Sequence, residues 1–191
     1  YQSGKMTVTT IIPNQLWQIR DFFPQEQYSF VRKLYRTAEN NLLKMVYDNR
    51  LLTDWNETKE LNDVCAVWAP YFSELVGIEL KPQVGYVDIT LSHAKIMMHR
   101  IHPDIKLQVQ IPLCTEATDT NQYAFCTEPE VNIRLGNDHK PSRTINTNEC
   151  VYVPHEPRSA IVYRNDPRIF NGMMNSIPEN SIRETLWLNY Q

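Results

Sequence analysis

The segment Ile101-His102-Pro103-Asp104 carries the clearest chemistry in the chain. His102 and Asp104 are two apart, a spacing that turns both side chains to one side of an extended backbone. One imidazole nitrogen and one carboxylate oxygen on a common face can grip a divalent ion. A third ligand from a distant strand would complete a triangular face and leave the opposite positions open, the geometry that non-haem iron sites use. Taken alone, an H-x-D triplet also suits a surface turn capped by an acid. The other histidines fit such a site less well. His99 stands three before His102, an odd offset that turns it to the other side of an extended strand. His93, His139 and His155 read as solvated or hydrogen-bonded side chains.

The elements that must position this pair follow from periodicity. Leu16-Trp17-Gln18-Ile19 alternates as a first strand. Asp21-Phe22-Phe23-Pro24 reads as a helix start, with Pro24 in the first turn. Tyr28, Val31, Leu34, Tyr35, Ala38, Leu42 and Met45 recur at helical spacing and predict a helix over about 24–47. A second helix is predicted after Asn56, which would cap it, with Leu61, Val64, Val67, Trp68, Phe72 and Leu75 on one face and Pro70 kinking or ending it. After Gly77 the texture turns to short alternating segments: Val84–Ile89, Ala94–Met98, Leu107–Leu113, Gln122–Phe125, Val131–Leu135, Glu149–Val153, Ala160–Tyr163 and Thr185–Tyr190. Helices followed by about eight strands predict an α+β, mainly β chain, a barrel or sandwich with the helices packed outside it. The polar loop 136–148 is long enough to be a lid or an excursion.

Composition limits the function classes. The chain has 191 residues, 42% hydrophobic and 21% charged, with 19 Lys and Arg against 22 Asp and Glu, a net charge of -3. That balance gives no general attraction to nucleic acid or anionic lipid. No apolar run approaches the roughly 18 residues of a membrane span. The five glycines, Gly4, Gly77, Gly85, Gly136 and Gly172, build neither a phosphate-cradling loop nor a dinucleotide fingerprint. Cys65, Cys114, Cys126 and Cys150 form no C-x-x-C pair. Their spacing in a chain of this size favours reduced thiols and a cytoplasmic setting. Tyr1-Gln2-Ser3-Gly4-Lys5 reads as a tag remnant, leaving 6–191 as one domain.

Downstream of the H-x-D triplet comes the strand Leu107–Leu113. Then follow Pro154 and Pro157 with Ala160-Ile161-Val162-Tyr163, next Phe170-Asn171-Gly172, and last Arg183-Glu184-Thr185-Leu186. This order resembles the iron(II)/2-oxoglutarate oxygenases, especially the small prolyl-hydroxylase-like and phage-encoded members. The resemblance spans most of residues 16–190 and rests on order and spacing. It implies a double-stranded β-helix (jelly-roll or cupin-like) core. It implies iron(II) and 2-oxoglutarate as cofactors, oxygen as co-substrate, and hydroxylation of a protein side chain such as proline, or of a small molecule. His102 and Asp104 then match the first two metal ligands. Arg183 matches the arginine that holds the co-substrate carboxylate, a task suited to a bidentate guanidinium. Thr185, two residues on, would offer its hydroxyl to the same carboxylate. The chain departs from the family at the distal ligand, where Asn171 stands in place of histidine. Asn171 or a water on it would complete a weakened site, another histidine would, or the site is vestigial. The expectations are therefore an oxygenase in the cytoplasm (the host's, for a viral source), a degenerate binding module on the same core, or a viral jelly-roll structural protein.

Overall fold

A computed structural model describes residues 5–36, 43–47, 49–53, 58–113, 122–127 and 150–191. Among these residues two helices and eleven strands follow in the order β1 Thr7–Ile12, β2 Leu16–Arg20, α1 Gln25–Arg36, β3 Leu43–Tyr47, β4 Arg50–Thr53, α2 Lys59–Val76, β5 Pro82–Thr90, β6 Leu107–Pro112, β7 Tyr123–Thr127, β8 Cys150–Val153, β9 Ala160–Arg164, β10 Ile169–Gly172 and β11 Arg183–Tyr190. All strand pairs are antiparallel. Eight strands form one sheet in the order β1-β2-β9-β6-β11-β5-β4-β3, and three form a second, β10-β7-β8.

Strand alternation divides the core into two layers. On β11, Leu186, Leu188 and Tyr190 face the helices and pack with Phe22, Val31, Leu61 and Phe72. Trp187, on the other face, packs with Tyr123 and Phe125 of the small sheet and with Ile161 and Tyr163 of β9. Central strands of the large sheet are thus covered on both faces, and all eight residues of β11 are buried. Burial on both faces explains why the polar residues of the strictly alternating Leu107–Ile111 segment do not meet water. Gln108 and Gln110 are buried and turn to the space between the sheets.

Several local expectations change. Helix α1 is described to Arg36, residues 37–42 lie outside the described ones, and Leu43–Tyr47 pairs with β4 as a strand. The helical apolar spacing runs on to Met45, but pairing at the sheet edge decides the conformation of 43–47. Pro70 lies inside α2 without ending it. Pro70 and Ala66 are both exposed, so the carbonyl released by the missing N–H meets solvent. Thr58, not Asn56, occupies the N-cap of α2, and Asn56 lies outside the described residues. The C-terminus of α2 closes at Gly77, whose φ of 76° suits glycine and whose N–H reaches the Ser73 carbonyl at 2.9 Å. Ala94–Met98 carries no strand ladder; its continuation makes a single bridge, His99 to Asn171. Val131–Leu135 and the 136–148 loop lie outside the described residues.

The expectation of reduced thiols fails for two of the four cysteines. Cys126 on β7 and Cys150 on β8 stand directly opposite in the ladder and are joined by a disulfide. Their wide sequence separation conceals that they are cross-strand neighbours. Cys65 is free and buried, and burial pushes its thiol up to about 11.

Candidate binding site between the sheets

β11 supplies the first site residues. Arg183 and Thr185 both point between the sheets, as their two-residue spacing predicts. Arg183 is 1% exposed. Its Nη1 donates to Thr185 Oγ1 at 2.8 Å and its Nη2 to Gln110 Oε1 at 3.4 Å. Its guanidinium lies 5.5 Å from the centroid of the Tyr123 ring. The Thr185 hydroxyl, an acceptor from Arg183, is 3.0 Å from His155 Nε2 and is free to donate there. His155 is fully buried, and burial together with the Arg183 charge holds its pKa well below the ordinary imidazole range. It therefore serves as a neutral acceptor in the chain Arg183–Thr185–His155.

Asn171 joins the same cluster from β10. It is 0% exposed, and its Oδ1 accepts the Tyr123 hydroxyl at 2.6 Å. Its Nδ2 is a buried donor without a hydrogen-bond partner among the described residues. Across the bridge stands His99, whose N–H and carbonyl each bond the Asn171 backbone at 2.9 Å. Close approach of the two segments requires Gly172, where a Cβ would lie 2.8 Å from the Met97 carbonyl oxygen. His99 turns Nδ1 to the Met97 carbonyl at 2.7 Å. The residue two beyond it, where a second ligand would stand, is the buried Ile101.

His102 and Asp104 lie elsewhere. They occupy an exposed turn, their side chains 68% and 72% accessible, with Nδ1 and Oδ2 3.5 Å apart. β6 starts three residues after Asp104, and Leu107 pairs with Tyr190 while Pro112 pairs with Thr185. The turn therefore sits at the Tyr190 end of β11, and Arg183 sits at the other. Seven residues of strand separate the two ends, about 23 Å at roughly 3.3 Å per residue. The structure brings Arg183, Thr185 and Asn171 together and leaves His102 and Asp104 apart from them. Pro103 explains the displacement: it helps close a turn in which the Asp104 N–H reaches His102 Nδ1 at 3.2 Å, so the segment is not extended and its two-residue spacing selects no strand face.

The described groups between the sheets do not by themselves fit an iron ion. Among the described residues, no three His, Cys, Asp or Glu side chains gather as a metal group. Asn171 offers one neutral oxygen, which already accepts from Tyr123, and the Nδ2 beside it is a donor. Asp88, on the inner face of β5, is ion-paired with Arg50 and accepts the Thr90 hydroxyl at 3.1 Å. Trp187 Nε1 is a second buried donor without a partner among the described residues. Unsatisfied N–H groups are costly to bury and call for an acceptor, not a cation.

Tyr123, Gln110, His155 and Trp187 are not singled out as site residues by the sequence. A signal for Gln110 was present: a glutamine on a strand that pairs on both sides faces either water or a polar interior.

No family model matches the chain, and no curated protein matches it. Solved structures do match in fold. An oxidoreductase of the 2OG-Fe(II) oxygenase family from Burkholderia pseudomallei superposes with a TM-score of 0.65 at 13% identity, over 94% of this chain and 85% of that one. A Pseudomonas putida prolyl-4-hydroxylase gives 0.63 at 10% identity, over 93% and 92%. HygX from Streptomyces hygroscopicus, with nickel and 2-oxoglutarate bound, gives 0.65 at 10% identity, over 92% and 82%. The chain thus shares the fold of 2-oxoglutarate oxygenases.

Proposed function

We propose that this chain is a binding module on the oxygenase fold that takes a small carboxylate, 2-oxoglutarate or a related diacid, between its sheets without a metal. The observation that carries the reading is the buried Arg183 guanidinium with the Thr185 hydroxyl at 2.8 Å. A carboxylate placed there would gain charge-assisted hydrogen bonds in a region shielded from water. Asn171 Nδ2 and Trp187 Nε1 would contribute two further donors. Neutral His155 keeps Thr185 oriented and adds no competing charge. In this reading Arg183 would hold the carboxylate, Thr185 would fix the guanidinium from the side, and His102, Asp104 and Asn171 would hold no metal.

The second reading is a catalytic iron(II)/2-oxoglutarate oxygenase, a hydroxylase of a protein side chain or small molecule. The fold match to oxygenases favours it. It requires metal ligands from outside the described residues.

Calorimetry with 2-oxoglutarate and with succinate in EDTA, repeated after anaerobic loading with iron(II), separates the two. Binding is expected in EDTA, weakened about 10- to 100-fold in Arg183→Met, since a hydrogen bond to a charged group contributes about 1.5–3 kcal/mol. Circular dichroism verifies that the variant folds. Stoichiometric iron together with succinate formation would establish the oxygenase instead. No binding of either acid under any condition rejects both.

A further inference from the structure

At the Tyr190 end of β11, away from Arg183, three loops meet around a groove. The loop between α2 and β5 is tied down where Lys81 and Gln191 exchange backbone hydrogen bonds at 2.7 and 2.8 Å. The segment before β6 is held by the Lys106 N–H on the Tyr190 carbonyl at 2.8 Å. The turn after β9 is pinned to that segment. Its Asn165 N–H reaches the Lys106 carbonyl at 2.9 Å, and Asn165 Nδ2 reaches the His102 and Ile105 carbonyls at 3.1 and 2.8 Å. The turn that carries His102 and Asp104 is thus one wall of the groove. Walls fixed in this way need little ordering when a ligand arrives.

The groove encloses ≈ 660 Å³, within the size range of small-molecule sites. Its apolar walls are Ile78, Ile101, Pro103, Ile105 and Pro167. Arg100, Lys106 and Arg164 line it against a single acid, Glu79, so three positive charges meet one negative and two are left over. None of these four makes an ion pair among the described residues. Of the acids nearby, Asp166 is paired with Arg168 at 2.7 Å and Asp104 stands beside His102. The Arg100 guanidinium lies over the buried Phe170 ring, 4.4 Å from its centroid. The ring holds the cation in place without occupying its N–H groups.

We propose that this groove binds a phosphate monoester with a short aliphatic body, its phosphate at Arg100, Lys106 and Arg164 and its body on the isoleucine and proline walls. A phosphate monoester carries close to two negative charges at neutral pH, which matches the surplus, and its oxygens suit the guanidinium fork. Aliphatic walls reward each methylene they cover and return nothing to a polar body. The site goes beyond the Arg183 reading and shares no residue with it.

The test is calorimetry of the whole chain with hexyl phosphate, ethyl phosphate, hexyl sulfate and hexanol. Hexyl phosphate is expected to bind about tenfold tighter than ethyl phosphate. Hexyl sulfate, with the same body and a smaller charge, is expected to bind about threefold more weakly, and hexanol more weakly still. Lys106→Gln and Arg164→Gln remove side chains that hold no ion pair in the fold, and each is expected to weaken hexyl phosphate about threefold. Vesicles of phosphatidic acid in phosphatidylcholine are expected not to sediment the protein, whose net charge of -3 opposes attraction to an anionic surface. Excess succinate is expected to leave hexyl phosphate bound. Equal affinity for the hexyl and ethyl esters, a sulfate that matches the phosphate, unchanged affinity in both variants, vesicle capture that the double variant loses, or displacement by succinate would overturn the proposal. Failure of succinate and 2-oxoglutarate to bind while hexyl phosphate binds would instead overturn the Arg183 reading alone.

Discussion

Opening the Cys126–Cys150 cross-link gives a stability change whose size can be worked out. The two sulfurs join residues 24 apart. For a closed loop of that length, the chain-entropy relation removes about 11.6 cal/mol/K from the unfolded state, or about 3.5 kcal/mol at 25 °C. For a chain of this size each kcal/mol moves Tm by about 2–4 °C, so the double variant Cys126→Ala/Cys150→Ala should melt roughly 7–14 °C lower. The loss is felt at the site. β7 carries Tyr123 three residues before Cys126, and Phe125 of the same strand pairs with Asn171. Differential scanning calorimetry of the wild type, of the double variant and of the wild type in reductant measures the effect. Reduced wild type should match the variant within about 2 °C. Alkylation under denaturing, non-reducing conditions should spare both cysteines. Two modified thiols at those positions, or a Tm that does not move, would refute the reasoning.

Two further outcomes follow from the site. Asn171→His alone is expected to leave the protein without stoichiometric iron, because Ile101 supplies no carboxylate; Asn171→His with Ile101→Asp should bind iron(II), read by metal analysis after anaerobic loading. Folding stability should fall as pH drops from 7 to 5. His155 is held neutral in the native state, so below the ordinary value near 6.5 the unfolded chain takes a proton that the native chain refuses, at up to about 1.4 kcal/mol per pH unit. His99, lowered in the same direction, adds to the trend. Asp166, held at about 2 by its Arg168 partner, stays charged throughout this window and does not offset the loss. Urea melts at pH 7 and pH 5 should show a shallower dependence in His155→Gln than in the wild type.

How much of this was legible in the sequence depended on whether neighbours along the chain were also neighbours in space. β2, α2, β6, β9 and β11 follow the periodicities of their residues closely, because each has an apolar face that must be covered. β3 did not, because its conformation is imposed by β4 across the sheet edge. Arg183, Thr185 and Asn171 were found through order along the chain, and order survives where the fold survives. His102 and Asp104 stood first on their spacing, and the order of the segments after them was aligned to that pair. A two-residue spacing means a common face only in an extended segment, and the turn at Pro103 removes that condition. Tyr123 and His155 were not singled out as site residues, since nothing local distinguishes a buried tyrosine or histidine from a solvated one. The pairing of Cys126 with Cys150 depends on β7 lying against β8, a contact between residues far apart in the chain.

Glu184 shows what it means for neighbouring residues on one strand to face opposite ways. It lies between Arg183 and Thr185 but points to the helices, where its carboxylate receives the Tyr35 hydroxyl at 2.5 Å and Arg36 Nη2 at 2.5 Å. The backbone that presents the guanidinium inward is therefore anchored from behind by the end of α1. Any shift of that helix end would reach the interior as a sideways displacement of Arg183. The surface around Tyr35 and Arg36, remote from every ligand considered above, is thus a handle by which an outside contact could tune what the interior holds.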